Sequence, residues 1–310
     1  MNLIDTFRYL VSLEQHKHFS RAAQACHITQ PALSNAIKAL EDELGTKIVN
    51  RGRNFEGLTD EGKRVLASAH QILHETESLK QDISSRKGNP SGNLIIGSVP
   101  SALPLASRFA VLLQKNFGGI APTVRSMASQ EIELSIENLT VDMAFGYTDR
   151  FELNTSDSSV IPQYSEKYFL IRSNVNKLAK SQITDEVTWY SAAKEPLCLL
   201  TSEMHNRVLV NDFFRAVGIS IKPCMQTDSI FTLLLSVQNS ELSTILPGPI
   251  ANIAKNFDGL FISHLVNPKS QTAIGLLMPP SRQLTIAQQK ALEMAKDTSW
   301  LSQISSLTSP

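Results

Sequence analysis

The spacing of apolar residues divides this chain into regions of different character. At its start, Ile4, Phe7 and Val11 fall at helical intervals and predict a first helix with one apolar face. Phe19 followed by Ser20, a good N-cap, predicts a short second helix. Ala22, Ala23 and Ala25 keep that helix thin, so another can cross it closely. His27-Ile28-Thr29 reads as a turn, with Thr29 as cap of a third helix. Pro31 falls in the first turn of that helix, where a missing N–H costs little. Leu33, Ile37, Leu40 and Leu44, spaced four, three and four apart, are expected to bury one face, and Gly45 ends the helix. The opposite face carries Gln30, Ser34, Asn35 and Lys38.

From residue 59 the pattern becomes one long polar helix. Thr59 is its predicted N-cap, with Asp60 and Glu61 where the helix dipole favours acids. Val65, Ala69, Ile72, Thr76, Leu79 and Ile83 then form an a/d seam over nearly three heptads. The run Lys87-Gly88-Asn89-Pro90-Ser91-Gly92-Asn93 is rich in breakers and is expected to be a hinge. Beyond it, strands are expected at Leu94–Val99, Thr123–Met127, Met143–Gly146, Phe169–Arg172, Leu197–Leu200, Thr244–Pro247 and Ala273–Met278. Helices are expected at Ala102–Asn116, Gln130–Asn138, Asn206–Val217, Ile230–Gln238 and Ile286–Lys296. Such alternation predicts one α/β sheet or two.

Composition narrows the function classes. The 310 residues suit two or three domains, and 42% hydrophobic with 19% charged is ordinary for a globular chain. Lys and Arg number 29, as do Asp and Glu, so any nucleic-acid contact must come from a local patch. No secretory signal is expected, because Asn2, Asp5 and Arg8 interrupt the first residues, and no apolar run is long enough for a membrane span. Cys26, Cys198 and Cys224 show neither metal spacing nor a CxxC pair, which fits a reduced cytoplasmic compartment; Cys26 reads as a small core residue. Of seven histidines only His70 and His74 stand at i, i+4, and they read as a solvated helix face. GxSxG, HExxH and P-loop signatures are absent from the sequence, so no enzyme constellation is expected, and neither is a metal or cofactor.

Chemistry concentrates in two places. The exposed residues of the third helix are hydrogen-bonding side chains of the kind that read base edges in the major groove. Lys47, Arg51 and Arg53 follow in a turn-rich segment with Gly52 and Gly57, which reads as a β-hairpin wing carrying cations toward phosphates. Further on, Ser98-Val99-Pro100-Ser101, Ser129-Gln130 and Thr201-Ser202 each place hydroxyls at a strand-to-helix turn. Such turns bind anions and line the crevice of open α/β sheets. Ser98, Pro100, Ser101, Ser129 and Thr201 are therefore the candidate ligand contacts.

Several stretches together resemble the LysR-type transcriptional regulators: Phe19-Ser20-Arg21-Ala22-Ala23, Thr29-Gln30-Pro31-Ala32-Leu33-Ser34, Ile37, Leu40-Glu41, Leu44-Gly45, Arg51 and Leu58-Thr59-x-x-Gly62. The resemblance implies that Gln30, Pro31, Ser34 and Asn35 approach an operator and that Arg51 and Arg53 hold its backbone. Two departures stand out. Ile48-Val49-Asn50 replaces a usual Leu-Phe before the wing arginine, and Cys26 replaces a common Leu. Gly92-Asn93-Leu94-Ile95-Ile96-Gly97 and Leu139–Gly146 resemble landmarks of the family's effector domain. The implied architecture is an N-terminal winged helix-turn-helix, a long linker helix, and two α/β subdomains like a periplasmic solute-binding protein. Expected boundaries are 1–58 for DNA binding, 59–91 for linker and hinge, and 92–310 for effector binding. Subdomain I would take 92–162 and 267–310, and subdomain II 163–266, with crossings near Pro162–Tyr164 and Val266–Pro268.

The expected partners are a double-stranded DNA operator, a small-molecule effector, further copies of the chain as dimer and tetramer, and RNA polymerase if the protein activates. The effector is expected to be a small anionic metabolite, with Arg207 read as a surface residue. Two other classes are a solute-binding protein, which would need export, and an enzyme built on the α/β domain.

Overall fold

The structure, a computed structural model of the chain, describes residues 2–51, 55–85, 90–150, 159–173, 183–238, 240–279 and 284–310. Two units are distinguished, Met1–Gly88 with Asn138–Thr140, and Asn89–Glu137 with Val141–Pro310.

The first unit begins with α1 (Leu3–His16), capped by the Asn2 side chain on the Asp5 N–H. Its buried stripe is Phe7, Leu10 and Leu13, while Ile4 and Val11 are only half-buried. Phe7 is in the core as expected, joined by Leu10 and Leu13, with Val11 packed partly buried against them. The second helix, α2 (Phe19–Ala25), is capped by His18 rather than Ser20: the imidazole Nδ1 accepts from the Ser20 N–H at 3.2 Å. Ala22 and Ala23 are fully buried, and Cys26, directly after the helix, is half-buried rather than in the core. Thr29 Oγ1 accepts from the Ala32 N–H at 3.4 Å and caps α3 (Gln30–Leu44). Leu33, Ile37 and Leu40 are completely buried, but Leu44 is 49% exposed, and Glu41 takes the last inward position instead.

The hairpin of β1 (Val49–Arg51) and β2 (Phe55–Leu58) follows, pairing Val49 with Leu58 and Arg51 with Phe55. Val49 is 3% exposed, so the smaller side chain is fully packed beneath the wing. Thr59 Oγ1 donates to the Lys47 carbonyl at 2.6 Å and accepts from the Gly62 N–H at 2.9 Å. It starts α4 (Asp60–Ser85) while tying that helix to the wing. Gly62 is required there, because a Cβ would stand 2.1 Å from the Ile48 carbonyl oxygen. His70 and His74 are half-buried on α4, not solvated, and burial lowers the His70 pKa against the opposing pull of Glu14. Lys87, Gly88 and Asn89 of the expected hinge lie outside the described residues.

The second unit opens with β3 (Ser91–Ser98), a 3-10 turn at Pro100–Ala102, α5 (Leu103–Asn116), β4 (Gly119–Ser126), α6 (Ser129–Glu137) and β5 (Met143–Tyr147). Strands β4, β3 and β5 are parallel neighbours. The long β6 (Ser159–Ser173) is followed by β7 (Ile183–Thr188), α7 (Trp189–Ala192), β8 (Cys198–Leu200), α8 (His205–Ala216) and β9 (Met225–Thr227). Then come α9 (Ile230–Val237), β10 (Ser243–Pro247), α10 (Gly248–Ala254), β11 (Leu260–Val266), β12 (Gln271–Met278), α11 (Ile286–Lys296) and α12 (Thr298–Leu307).

Strand β6 serves two subdomains. Its residues up to Lys167 pair antiparallel with β12, which inserts between β5 and β6. Its residues from Tyr168 on pair with β10 and β11. The first crossing therefore falls at Lys167 and Tyr168, inside one continuous strand. Pro162–Tyr164, where a crossing was expected, is a register shift facing Ile274 and Gly275. The return crossing lies between the end of β11 at Val266 and the start of β12 at Gln271. Helix α12 straps this hinge. Trp300 donates to Gln163 Oε1 at 2.7 Å and packs edge-on against Phe109, while Asn252 of α10 donates to the Ser306 carbonyl.

Candidate functional site

Helix α3 offers a polar surface beside the wing. Gln30, Pro31, Asn35 and Lys38 are exposed and Ser34 is half-buried. Gln30, Ser34 and Lys38 recur at i, i+4 and i+8, and Pro31 and Asn35 flank them, so the five share one face. Glu41 fixes the wing to this helix. Its carboxylate is 2% exposed, and Oε1 accepts from the Ile48 and Val49 N–H groups at 3.0 and 3.2 Å. Lys47 Nζ stands 3.6 Å from Oε2. One buried side chain on α3 thus holds the start of β1, and sequence reading assigned it no role. Arg51 ends β1, whereas its side chain and all of Arg53 lie outside the described residues.

The seam predicted on α4 divides in two. Ala69 is fully buried and Val65 half-buried, both in the core of their own unit. Ile72, Leu79 and Ile83 are 40%, 60% and 61% exposed, with Thr76 between them donating to the Ile72 carbonyl. Only this second part is an apolar stripe open to another chain.

Between the subdomains of the second unit lies a small pocket, lined from one side by Val99, Pro100, Ser101, Ala128, Ser129 and Tyr147. Leu200, Met204, His205 and Asn206 close it from the other. Of the predicted contacts, Pro100, Ser101 and Ser129 meet here. Ser98 does not: it is completely buried and donates to the Val99 carbonyl. Thr201 is not part of the lining either. The first turn of α8 supplies His205 and Asn206 in its place. Arg207 is not a surface residue. It is 6% exposed and turned away to the Leu200 carbonyl, Gln226 and Asn211.

The strongest polar cluster missed from sequence surrounds Tyr147, the last residue of β5. Its hydroxyl is 3.0 Å from Ser101 Oγ and accepts from Asn206 at 3.4 Å. Its ring packs edge-on against His205, whose Nε2 is 3.3 Å from Asp149. Behind it is Glu166, completely buried on β6. Oε1 accepts from the Tyr164 hydroxyl at 2.9 Å, and Oε2 has no partner. Burial raises the Glu166 carboxyl from 4.5 to about 7, against the pull of the Tyr164, Ser101 and Tyr147 hydroxyls. Burial and the nearby Glu166 charge in turn push Tyr147 and Tyr164 well above the usual phenol range. A signal was available, since Tyr147 directly follows a landmark strand at the same topological edge as Ser101 and Ser129.

Cys198 is buried in β8, and burial raises its thiol, away from the thiolate that redox chemistry uses; Cys224 is exposed. Among the described residues no cluster of three or more His, Cys, Asp or Glu stands ready to hold a metal, and no helix is long and apolar enough to cross a membrane.

Known proteins share both units. Residues 4–63 match the bacterial regulatory helix-turn-helix protein of the lysR family, and residues 87–300 match the LysR substrate binding domain. The DNA-binding transcriptional dual regulator OxyR of Escherichia coli is 26% identical over 286 residues, covering 92% of this chain and 91% of its own. The SDS degradation transcriptional activation protein of a Pseudomonas species is 33% identical over 144 residues, 46% of each chain. Among solved structures, a full-length OxyR variant from Pseudomonas aeruginosa superposes with a TM-score of 0.70 at 19% identity, covering 99% of this chain and 95% of that one. CbnR complexed with its target DNA gives 0.65 at 15%, covering 94% and 97%.

Proposed function

The chain belongs to the LysR family of bacterial regulatory helix-turn-helix proteins, and from that membership we propose how its parts divide the work of a ligand-responsive, DNA-binding transcription regulator. The observation that carries the proposal is the exposed polar face of α3 held beside a hairpin by buried Glu41. Gln30, Pro31, Ser34, Asn35 and Lys38 face base edges in the major groove, and Arg51 and Arg53 hold phosphates. The open stripe at Ile72, Leu79 and Ile83 pairs with the same stripe of a second copy, so that two recognition helices read two half-sites. Exposed apolar residues on the second unit, Val111, Phe231, Leu235 and Ile253, support further pairing into a tetramer. RNA polymerase becomes a partner where the protein activates, and the cytoplasm is its place of work.

The pocket between the subdomains is the effector site, and the effector is a small anion. Ser101, Ser129 and the first turns of α6 and α8 converge on it, and such helix ends favour negative charge. The protein acts by binding rather than catalysis and needs no cofactor. A gel shift with the DNA upstream of its own gene, over a series of salt concentrations, tests the core of this reading. Binding that weakens steeply with salt is expected, and Asn35→Ala should change the preferred bases at one operator position, costing roughly 1–3 kcal/mol there. No shift at low salt, or a variant footprint identical to the wild type, would remove the assignment of α3.

A further inference from the structure

Glu166 stands opposite Thr272 of β12, two positions before β6 passes to the second subdomain at Tyr168. It is completely buried, and Oε2 makes no hydrogen bond. The groups that face it are Tyr164 and Tyr168 of its own strand, Tyr147 of β5, and Ser101 of the turn after β3. Among the described residues, none of the groups acting on its charge is a lysine or arginine. Ser101 and Tyr147 also line the pocket, so this bonded pair of hydroxyls is the layer shared by the carboxyl and a ligand.

Each hydroxyl carries one proton and can donate in one direction only. An ionised Glu166 draws those protons inward and leaves oxygen lone pairs facing the pocket. A protonated Glu166 supplies its own proton and frees the hydroxyls to donate outward. An anion in the pocket also repels an ionised carboxylate, which favours the protonated form further. We propose that Glu166 sets the charge preference of the cleft: an anion binds only with this carboxyl protonated, so that binding takes up a proton wherever the carboxyl was ionised beforehand. The proposal rests on the reading of the effector as an anion. It makes the regulator's sensitivity depend on pH close to neutrality. With the carboxyl half-protonated near 7, the competent fraction falls from about nine-tenths at pH 6 to about one-tenth at pH 8, so apparent affinity falls about tenfold.

The test is calorimetric titration of the full-length chain with sulfate and with acetate, both ionised throughout pH 6–8, and with propylammonium as the opposite charge. Buffers of different ionisation enthalpy count the protons exchanged. The wild type should bind anions about tenfold more weakly at pH 8 than at pH 6 and take up close to one proton per anion at pH 8. Glu166→Gln, which keeps the shape without a titratable carboxyl, should bind with little pH dependence and no such uptake. That comparison isolates Glu166 from every other group, because the two proteins share all the rest. Ser101→Ala with Tyr147→Phe should weaken anion binding at pH 6 in both backgrounds. Anion binding that is independent of pH, or that depends on it equally in Glu166→Gln, would overturn the role of Glu166 while leaving the anion reading in place. Binding of propylammonium alone, tightening with rising pH, would overturn both. So would the absence of anion binding at every pH.

Discussion

Replacing Glu166 with Gln should change how stability depends on pH, even with no ligand present. The carboxyl is completely buried, and its pKa rises from 4.5 to about 7. The folded state therefore holds a proton that the unfolded chain has already released over the interval between those values. The stabilisation is complete below about 4.5, shrinks as pH rises, and is gone above about 7. Integrated from pH 5 to pH 8, the loss is about 2.5 kcal/mol for this one group. Other titrating groups are common to wild type and variant, so the difference between the two proteins isolates it. The assay is urea unfolding followed by tryptophan fluorescence. The chain's two tryptophans, Trp189 and Trp300, are both buried in the second unit, so the signal reports that unit alone. Any fixed cost of placing an amide beside Tyr164 shifts the variant equally at all pH values and cancels. The wild type should lose about 2.5 kcal/mol relative to Glu166→Gln between pH 5 and pH 8. Parallel profiles, with a difference constant to about 0.5 kcal/mol, would show that Glu166 titrates normally and that the physical premise of the proton-linked cleft is wrong.

Other perturbations test the remaining parts. Arg53→Ala should weaken binding to all DNA sequences alike and reduce the slope of log affinity against log salt by about one; wild-type affinity and slope would remove Arg53 from the backbone contacts. Leu79→Glu should convert dimers to folded monomers in sedimentation, because its side chain is 60% exposed in the single chain and an unpaired charge is costly in a buried seam. Glu41→Ala leaves the buried Ile48 and Val49 N–H groups without their acceptor, at about 1–3 kcal/mol each. Amide exchange at these two positions should accelerate accordingly, and unchanged protection would mean the wing is held by its apolar packing alone.

Elements with strong local signals were legible in the sequence. Thr29 before Gln30-Pro31, and Gly45 after Leu44, mark the ends of α3 because capping is a property of a few adjacent residues. The helix face was less secure. Ile4 and Val11 satisfy helical spacing as well as Leu10 and Leu13 do, and only tertiary packing chooses between them. Strand β11, Leu-Phe-Ile-Ser-His-Leu-Val, is nearly all apolar because it is covered on both faces, so it has no alternation to read. Helix α12 carries only Trp300 and Ile304 as fully buried anchors among serines and threonines, too sparse a pattern to predict. In the cleft, the turn residues Ser101 and Ser129 were visible by position. Glu166 was not: it lies mid-strand in a sequence that alternates ordinarily, and its burial follows from strand pairing with β12, more than a hundred residues away.

The insertion of β12 between β5 and β6 has a consequence for how the protein is made. As the chain leaves the ribosome, the first unit and the β3–β5 segment emerge early, yet the strand that joins β5 to β6 comes only with Gln271–Met278. Until then both neighbours present open edges, and the apolar faces that later meet α11 and α12 stay uncovered. A nascent chain of this kind carries a finished DNA-reading module ahead of an unfinished sensor. Unpaired strand edges invite association with other chains. Synthesis halted before Gln271 therefore leaves a species that is able to dock on an operator but not to sense, and that is prone to aggregate. The addition of β12, α11 and α12 is thus the step at which an unregulated DNA binder becomes a regulated one.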